Sequence, residues 1–419
     1  MDLTTKQILI LGGGFGGVRA ALDLEKKNLT NAKITLVSRD QFHEYHPDLY
    51  EVAASFLPED GDKRQKRLRY EHLRGTVAVP LNKIFQNKDV DLIYESVVAI
   101  DLKSKIVSLK DGKKLDFDYL VIALGSVTNF FGNQKLEETS LPLKTVSDAL
   151  NIRDNIDELF LEKKRNQEIR IVVGGGGFTG CELAGELVNY LKSLAKLHNH
   201  PLDKLEISIV EASPNLINGA DQWFQREALI RLTKLGVKIH LNSKIVDVED
   251  HRIIFETGEK VNFDILVWTA GIKANSLTEK ISNVKLEKNV CLAIDRYSRT
   301  IGYENVFAIG DNCFCFDTEH NHPVPPTAQL AISQGRSVAV NIAHLIKKEE
   351  MEVYEPQMPN FVIPMGKGFA LAKVFGFKVK GLFAWWLKRF VALGYISSIV
   401  TPLEALKVWW GGITFFIED

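Results

Sequence analysis

The sequence predicts an α/β fold with two parallel β-sheets, on the evidence of two glycine-rich turns and one repeated strand. Each turn follows a strand of branched apolar residues and precedes a helical pattern, at residues 12–17 and 174–180. The string 117–125, a strand that ends in a small-residue turn, recurs in the same pattern at 263–271. This duplication predicts two Rossmann-like domains, the first discontinuous and the second inserted into it, each suited to a dinucleotide.

Both turns fit the pattern G-x-G-x-x-G. Its glycines allow a sharp turn, a close approach of the backbone to a pyrophosphate, and tight packing of the helix on the sheet. The helix N-terminus then offers unpaired N–H groups and a partial positive charge to the phosphates. The residues predicted to bind nucleotide are Gly12, Gly13, Gly14, Phe15, Gly16 and Gly17 in the first turn, and Gly175, Gly177 and Gly180 in the second.

The strands that follow the two turns end differently. In the second domain the strand 206–210 ends at Glu211, whose carboxylate can accept both hydroxyls of an adenosine ribose. A 2'-phosphate would put two anions within a few ångströms of each other, at a cost of about 1 to 4 kcal/mol. We therefore predict NADH over NADPH, with Gly271 beside the same nucleotide; the alternative for Glu211 is an exposed acid without a role. In the first domain Ser38 and Arg39 stand where an acid is common, and they can contact a ribose and a phosphate.

Composition and charge exclude several classes of protein. The 419 residues are 45% hydrophobic, and 52 Lys and Arg balance 53 Asp and Glu, so nothing global favours nucleic acid. No uncharged apolar run reaches the length of a membrane span, and no signal peptide precedes the first strand, so we expect the chain to begin in the cytoplasm. The four cysteines have no metal-site spacing, which predicts no metal. None precedes Cys181, which excludes the early redox pair of flavoprotein disulphide reductases, although Cys313 and Cys315 leave redox chemistry open there.

The remaining strands organise the domains. The segments 97–101 and 106–109 predict a hairpin, and the chain returns to the first domain through 305–311. An aspartate after a glycine at a strand end can accept a ribityl hydroxyl, which assigns Gly310 and Asp311 to FAD. The predicted domains are an FAD-binding domain at 1–140 and 285–355, an NADH-binding domain at 141–284 and a C-terminal membrane-docking segment at 356–419.

Over nearly its whole length the chain resembles the type II NADH dehydrogenases, which are single-subunit, non-pumping NADH:quinone oxidoreductases of membranes. The resemblance rests on the segments 49–54, 175–187 and 325–335. It implies non-covalent FAD, NADH as substrate, a quinone acceptor and a homodimer.

The resemblance also implies roles for single residues. The flavin would be contacted by Gly12 to Gly16, Ser38, Arg39, the backbone of Val97, Asp311, Ala328 and Lys388. Gln329, Gln334 and Lys388 would mark the quinone side. Glu182 would serve in proton delivery or substrate positioning; alternatively, it stabilises its helix N-terminus by about 0.3 to 1 kcal/mol without any catalytic role.

The C-terminal segment 357–417 carries a positive excess in a neutral chain. Its seven basic residues stand against the single acid Glu404: Lys367, Lys373, Lys378, Lys380, Lys388, Arg389 and Lys407. It is also rich in Trp and Phe, which suit a lipid headgroup boundary. Lys388 and Arg389 would cost about 2.5 to 3.5 kcal/mol each inside a bilayer, so the stretch 382–400 is predicted to lie on the membrane. The alternative is a helical pair whose aromatic residues form a core or a dimer interface.

The leading hypothesis is an FAD-dependent oxidoreductase that takes a hydride from NADH and passes two electrons to a membrane quinone, with Glu182 and Gln329 as catalytic residues, at the cytoplasmic face of the membrane. Two alternatives remain at this point. One is a soluble NADH-dependent reductase with a protein acceptor, and the other is a non-enzymatic flavoprotein that senses NADH.

Overall fold

The computed structural model describes residues 5–56, 70–317, 321–357, 360–374 and 376–418. Within them the helices are α1 (Phe15–Glu25), α2 (Leu49–Ala53), α3 (Leu81–Ile84), α4 (Gln134–Thr139), α5 (Val146–Glu162), α6 (Phe178–Leu197), α7 (Gln222–Leu235), α8 (Ala328–Lys347), α9 (Leu382–Ser397) and α10 (Pro402–Glu418). The strands are β1 (Lys6–Leu11), β2 (Ala32–Ser38), β3 (Phe42–Glu44), β4 (Ala78–Pro80), β5 (Asp91–Tyr94), β6 (Val97–Asp101), β7 (Ile106–Leu109), β8 (Lys114–Asp116), β9 (Tyr119–Ile122), β10 (Ser126–Thr128), β11 (Leu141–Pro142), β12 (Ile169–Gly174), β13 (Leu205–Val210), β14 (Lys238–His240), β15 (Ile245–Glu249), β16 (Arg252–Phe255), β17 (Lys260–Asn262), β18 (Ile265–Trp268), β19 (Ile272–Ala274), β20 (Leu292–Ala293), β21 (Val306–Ala308), β22 (Cys313–Phe314), β23 (Phe316–Asp317), β24 (His322–Pro323), β25 (Val362–Pro364), β26 (Ala370–Val374) and β27 (Phe377–Gly381).

The chain divides into two compact units, each assembled from separate stretches of sequence. The first unit comprises Met1–Glu44, Val79–Val127 and Ile272–Pro359, and the second comprises Tyr45–Ala78, Thr128–Gly271 and Asn360–Asp419. The predicted boundaries at 140, 284 and 355 differ from this division. Two stretches predicted elsewhere belong by their contacts to the second unit: the early segment 45–78 and the C-terminal segment from residue 360 onward.

The first unit is built on a parallel sheet of order β21-β9-β1-β2-β5. The sheet is parallel throughout, and β1 lies between β2 and β9, with Leu11 opposite both Val37 and Ile122. Its strands are largely apolar because both faces are covered. Helix α1 packs against β1 and β2, and Leu9 and Leu120 share a buried core with Val107 of β7. The carboxyl ends of three neighbouring strands therefore meet at one edge, which is where open α/β sheets bind ligands.

The second unit has the order β11-β18-β12-β13-β14, in which four strands repeat the arrangement of the first sheet. The edge strand differs, because β11 comes first in the chain and β21 comes last. Here β12 lies between β13 and β18, with Gly174 opposite Val210 and Trp268. Each unit also has a three-stranded antiparallel sheet. In the first unit β6-β7-β8 comes directly before β9 in the chain, and in the second β15-β16-β17 comes directly before β18. The predicted duplication and the predicted hairpin at 97–109 are thus confirmed.

The C-terminal stretch of the second unit forms a small antiparallel sheet and two helices. The strands β25, β26 and β27 pair in that order, and α9 packs against them. Gly185 of α6 is essential to this packing, because a Cβ there would lie 2.7 Å from the backbone nitrogen of Gly366. Within the described residues, the helices are too short or too polar to cross a membrane.

Candidate functional site

The first glycine-rich turn is shaped by close backbone contacts that leave no room for a side chain. Gly12 has φ of +114°, and a Cβ there would lie 2.2 Å from the carbonyl oxygen of Ala123. A Cβ on Gly17 would lie 1.9 Å from the carbonyl oxygen of Gly12, which would push α1 off β1. These positions therefore require glycine for the turn and for helix packing, as the sequence pattern predicts.

Gly14 of the same turn is used differently. It is the N-cap of α1, it provides no side-chain cap, and a Cβ on it would meet no atom within 4 Å. By contrast, Thr327 caps α8 by accepting a hydrogen bond from the Leu330 N–H. The open N-terminus of α1 thus presents backbone N–H groups to free space, a geometry that fits the pyrophosphate of a dinucleotide.

A buried histidine supports this turn, and sequence reasoning missed it. His43 contacts the carbonyl oxygen of Gly13 through Nδ1 at 3.0 Å, and its ring packs edge-on against Phe15 at 5.0 Å. Burial lowers the pKa of His43 to about 4, so the imidazole is neutral and donates to that carbonyl near pH 7. The only available signal was its position a few residues beyond the end of β2.

At the end of β2, Ser38 is buried and donates a hydrogen bond to the carbonyl oxygen of Asp40 at 2.8 Å. Arg39 is exposed and pairs with the Asp40 carboxylate at 2.9 Å. Val97 is the first residue of β6. A ribose contact from Ser38 would use the acceptor lone pairs that its hydroxyl retains.

The other predicted flavin and quinone residues, apart from Lys388, follow β21 in the chain. Gly310 has φ of +72°, and Asp311 accepts a hydrogen bond from the Ser126 hydroxyl at 2.6 Å. Ala328 is half-buried and Gln329 exposed in the first turn of α8. Gln334 is fully buried, and its amide oxygen accepts from the Gly310 N–H at 2.8 Å. Its amide group also contacts the Cys313 sulfur. Gln334 therefore holds the Gly310 turn, a role that the sequence did not indicate.

The second glycine-rich turn reproduces the first. Gly175 has φ of +108°, and a Cβ there would lie 2.8 Å from Ala270, while one on Gly180 would lie 1.9 Å from the Gly175 carbonyl oxygen. Gly177 is the N-cap of α6, again without a side-chain cap and with open space around its Cα. The second unit thus presents the same kind of anion site as the first.

Glu211 lies directly beside this turn. One carboxylate oxygen accepts from the Gly176 N–H and the other from the Ser213 N–H, both at 2.7 Å. These bonds fix the carboxylate at the carboxyl end of β13 and leave further lone pairs for the hydroxyls of a ribose.

Gly271 ends the loop after β18, with φ of +90°. A Cβ on Gly271 would lie 2.9 Å from the ring of Phe131, a residue that the sequence did not single out. Phe131 is 68% exposed and has φ of 53°, which is rare for a bulky residue. Its ring packs edge-on against Trp268, whose indole N–H donates to the Asn129 carbonyl oxygen at 2.9 Å.

Lys388 lies in a buried ion cluster of the second unit. Its Nζ is 2.6 Å from Asp48 and 2.8 Å from Glu51, and it contacts the hydroxyl of Tyr50. Arg389 pairs with the other oxygen of Glu51 at 2.8 Å. Burial alone would raise the pKa of Glu51, but Arg389 and Lys388 outweigh it and lower the pKa to about 2. The cluster thus holds two cations and two carboxylates that compensate each other.

Glu182 lies in the first turns of α6, within electrostatic reach of that cluster. Burial is the main cause that raises its pKa; Lys388 lowers it, the negative charges of Asp48, Glu51 and Glu186 raise it, and the net result is a pKa of about 8. A carboxyl with this pKa is largely protonated near pH 7 and can release a proton there. Proximity to a helix N-terminus would have the opposite effect on the pKa.

The basic residues of the C-terminal segment are mostly paired, which corrects the charge argument made from the sequence. Beyond the buried Lys388 and Arg389, Lys378 pairs with Asp221 at 2.8 Å and Lys380 with Glu227 at 2.7 Å. The positive excess along the sequence is therefore balanced in large part by acids from distant stretches of the second unit. Sequence counting could not reveal those partners.

The four cysteines are free thiols in the structure. Burial raises the pKa of Cys313 well above its usual range and that of Cys315 to about 11. A thiolate is the reactive form of cysteine, so neither residue has the properties of a redox nucleophile.

Comparisons with known proteins agree with this geometry. A family model described as pyridine nucleotide-disulphide oxidoreductase matches residues 6–335. The type II NADH:quinone oxidoreductase of Staphylococcus aureus (strain NCTC 8325 / PS 47) is 29% identical over 397 residues, which cover 92% of this chain and 94% of the relative. The resemblance to type II NADH dehydrogenases is thereby confirmed.

Solved structures share the fold. NDH2 from Plasmodium falciparum in complex with NADH matches with a TM-score of 0.83 at 18% identity, over 99% of this chain and 98% of that one. The sulfide:quinone oxidoreductase of Aquifex aeolicus matches with a TM-score of 0.75 at 20% identity, over 92% and 89%. Both show the predicted fold of two Rossmann-like domains.

Proposed function

Because the chain belongs to the pyridine nucleotide-disulphide oxidoreductase family and is an FAD-dependent enzyme that uses NADH, we propose that its electron acceptor is a membrane quinone and that it pumps no protons. The first unit holds FAD and the second holds NADH. When bound, the flavin supplies the means to accept a hydride and to release two electrons. The protein has to bind, orient and deliver protons, and each task falls to residues described above.

Binding and orientation depend on the two open helix N-termini. In the first unit, Gly14 leaves the N–H groups of α1 available, while Asp311 offers a carboxylate to the ribityl chain. In the second unit, Gly177 leaves the N–H groups of α6 available, and Glu211 accepts the ribose hydroxyls of NADH. Gly271 and the exposed ring of Phe131 form one side of the space beyond this turn.

The quinone proposal is carried by Glu182, an acid in the first turns of α6 whose pKa is raised by its burial and by the carboxylates of the ion cluster. Reduction of a quinone to a quinol consumes two protons as well as two electrons, whereas hydride transfer itself requires no acid or base. An acid with a pKa of about 8 is a suitable donor at neutral pH. Gln329, exposed at the start of α8, is proposed to contact the quinone, and Gln334 to position the Gly310 turn from beneath.

The cysteines argue against a disulphide acceptor, despite the family's name. None precedes Cys181 in the sequence, and the buried thiols of Cys313 and Cys315 have raised pKa values. Electrons that reach the flavin must therefore leave to something other than a protein dithiol of this chain.

We further propose that the second unit docks on the cytoplasmic surface of the membrane through α9 and the start of α10. Large apolar side chains remain exposed there, namely Leu382, Phe383, Phe390, Val391, Leu403, Leu406 and Trp410. A helix with such a face, its charged residues buried on the opposite side, suits the interface of a bilayer. The same face could bury a second copy of the chain in a homodimer, which the lipid experiment below distinguishes.

The test is an anaerobic stopped-flow experiment on the purified holoenzyme. Flavin absorbance should be lost rapidly with NADH and should return rapidly when a short-chain quinone is added. Loss without quinone-driven return would contradict the quinone proposal and direct attention to a protein acceptor.

A further inference from the structure

Arg153 is a fully buried charged residue that has no role in either glycine-rich turn. It lies in α5 with 1% of its surface exposed. Burial of an unpaired guanidinium would be costly, so its partners define its role. Its Nη1 donates to the Tyr70 hydroxyl at 2.6 Å and to Asp154 at 2.9 Å, and its Nη2 donates to Asp157 at 2.9 Å.

The remaining contact of Arg153 reaches a different part of the chain. Its Nε donates to the carbonyl oxygen of Ser55 at 3.0 Å. Ser55 is fully buried and follows α2, the helix Leu49–Ala53, by two residues. Carbonyls at a helix C-terminus have no partner within the helix, so a buried one needs a donor from elsewhere. Arg153 supplies that donor from nearly 100 residues away.

The helix that Arg153 holds is too short to be stable alone. Five residues form little more than one turn, and isolated helices below about 12 residues are marginal in water. Yet α2 and its preceding residue carry Asp48 and Glu51, which hold Lys388. Movement at the end of α2 would therefore weaken the ion pairs that Asp48 and Glu51 form with Lys388.

A second contact links Arg153 to the helix that carries Glu182. Asp157, one of its carboxylate partners, accepts a hydrogen bond from the Tyr190 hydroxyl at 2.6 Å. The same hydroxyl lies 3.2 Å from the Arg153 carbonyl oxygen, the more distant of its two acceptors. Tyr190 lies in α6, two turns beyond Glu182, so one buried network joins α2, α5 and α6.

We propose that Arg153 is a positioning residue for the acid Glu182. It fixes α2 against α5 and α6, so that Lys388 stays paired with Asp48 and Glu51 and does not pair with Glu182. This inference rests on the proposed role of Glu182 as proton donor. The charged and titratable groups that act on Glu182 are Asp48, Tyr50, Glu51 and Lys388 from the elements packed on α6, and Cys181 and Glu186 from α6 itself.

The direction of the effect follows from these charges. If α2 shifts, Glu182 loses two nearby negative charges that raise its pKa, and Lys388 loses the carboxylates that compensate it. Both changes favour the ionised form of Glu182, so its pKa falls. Lysine in place of arginine keeps the charge but cannot reach Ser55, Tyr70 and Asp157 at once, because it lacks the guanidinium fork.

The experiment compares Arg153→Lys and Tyr190→Phe with Arg165→Lys, an exposed control. The protonated carboxyl band of Glu182, identified by its loss in Glu182→Gln, is followed by infrared difference spectroscopy from pH 6 to pH 10. We expect its midpoint to fall by about one pH unit in Arg153→Lys, by less in Tyr190→Phe and not at all in Arg165→Lys. The pH limit of quinone reduction should move with it, while flavin reduction by NADH stays within about twofold.

The outcomes separate the two claims. An unchanged Glu182 midpoint in folded Arg153→Lys and Tyr190→Phe overturns the positioning role, whatever the acceptor. A shifted midpoint with an unchanged rate of quinone reduction supports the positioning role and contradicts Glu182 as proton donor. If Arg153→Lys does not fold, Tyr190→Phe, which removes a single hydroxyl, decides the question alone.

Discussion

We propose that Glu211 sets nucleotide specificity, because its single carboxylate both holds the second glycine-rich turn and can accept the hydroxyls of a ribose. It receives the N–H groups of Gly176 and Ser213 and still offers lone pairs to a ribose. We predict that Glu211→Ala raises KM for NADH by about tenfold to a hundredfold, since hydrogen bonds to a charged group contribute roughly 1.5 to 3 kcal/mol. The ratio of kcat/KM for NADH over NADPH should fall as well.

Steady-state kinetics with both nucleotides provide the measurement. Glu259→Ala, at an exposed site in the same unit, is the control and should behave as the parent enzyme. A variant at Glu211 that kept its preference for NADH would show that specificity lies elsewhere.

Glu182 predicts a pH dependence whose sign follows from its raised pKa. The carboxyl is protonated below pH of about 8 and loses its proton above that value. Quinone reduction should therefore slow as the pH rises through 8, whereas flavin reduction by NADH should not. Glu182→Gln should slow quinone reduction by about a hundredfold and remove this decline, as expected for loss of a general acid.

The measurement is the rate of each half-reaction in stopped flow from pH 6 to pH 10, with Glu158→Gln, an exposed substitution on α5, as control. Equal effects of Glu182→Gln on both half-reactions would contradict a specific role in proton delivery.

At the scale of elements, the helices that follow the two glycine-rich turns begin with glycines of two kinds. Some are required by backbone packing, and others face the ligand site. Gly180→Ala would place a Cβ 1.9 Å from the Gly175 carbonyl oxygen, so we predict a loss of about 1 to 3 kcal/mol in the free energy of unfolding. Gly177→Ala introduces no clash within 4 Å and has φ of −74°, so its stability should be unchanged. Its methyl group should instead raise KM for NADH by about tenfold, because it projects into the open anion site.

Thermal unfolding and NADH kinetics of the two variants test this contrast. If Gly177→Ala were as unstable as Gly180→Ala, the open space at the start of α6 would not be a binding site kept free for a ligand.

The exposed apolar face of α9 gives the second prediction at this scale. Phe383 and Phe390 are 70% and 56% exposed. We predict that Phe383→Glu with Phe390→Glu abolishes flotation with anionic phospholipid vesicles, because each substitution places a charge at the lipid boundary. Leu161→Glu, at a residue 61% exposed on α5, should float like the parent.

Sedimentation of the same variants in the absence of lipid measures their oligomeric state and so tests whether this face binds a second copy of the chain instead of the membrane. Dissociation of a dimer, with flotation retained, would assign this face to self-association instead.

The elements also show where sequence reasoning succeeds and where it cannot. The glycine turns were predictable because a Cβ there would lie 1.9 Å from a carbonyl oxygen, which excludes every residue but glycine. The constraint therefore appears as a local pattern in one short stretch of sequence. Lys388 was assigned to a flavin contact and a positive face, but its carboxylate partners lie more than 330 residues away, and only the fold brings them together. Gln334 and His43 likewise act through tertiary contacts that leave no local pattern.

At the scale of the whole molecule, the division into two units follows contacts and not sequence order. The segment 45–78 precedes most of the first unit's sheet, yet its helix α2 packs against α5 and α6 of the second unit. Hydrophobic periodicity reports that a segment has a buried face, but it does not report which partner covers that face. Duplicated patterns, in contrast, reveal both sheets because four strands follow the same order in each unit.

The electron route through the molecule yields the last prediction. In enzymes that use a redox dithiol, NADH exposes a reactive thiolate, and an alkylating agent then inactivates the enzyme. Here the pKa of Cys315 is raised to about 11 and those of Cys181, Cys291 and Cys313 are raised too, so at pH 8 only about 0.1% of Cys315 would be thiolate. We predict that holoenzyme reduced with NADH and treated with iodoacetamide keeps its quinone reductase activity within about twofold. Cys313→Ala with Cys315→Ala should do the same, and NADH-dependent inactivation of the parent that this double variant resists would place a thiol in the electron path after all.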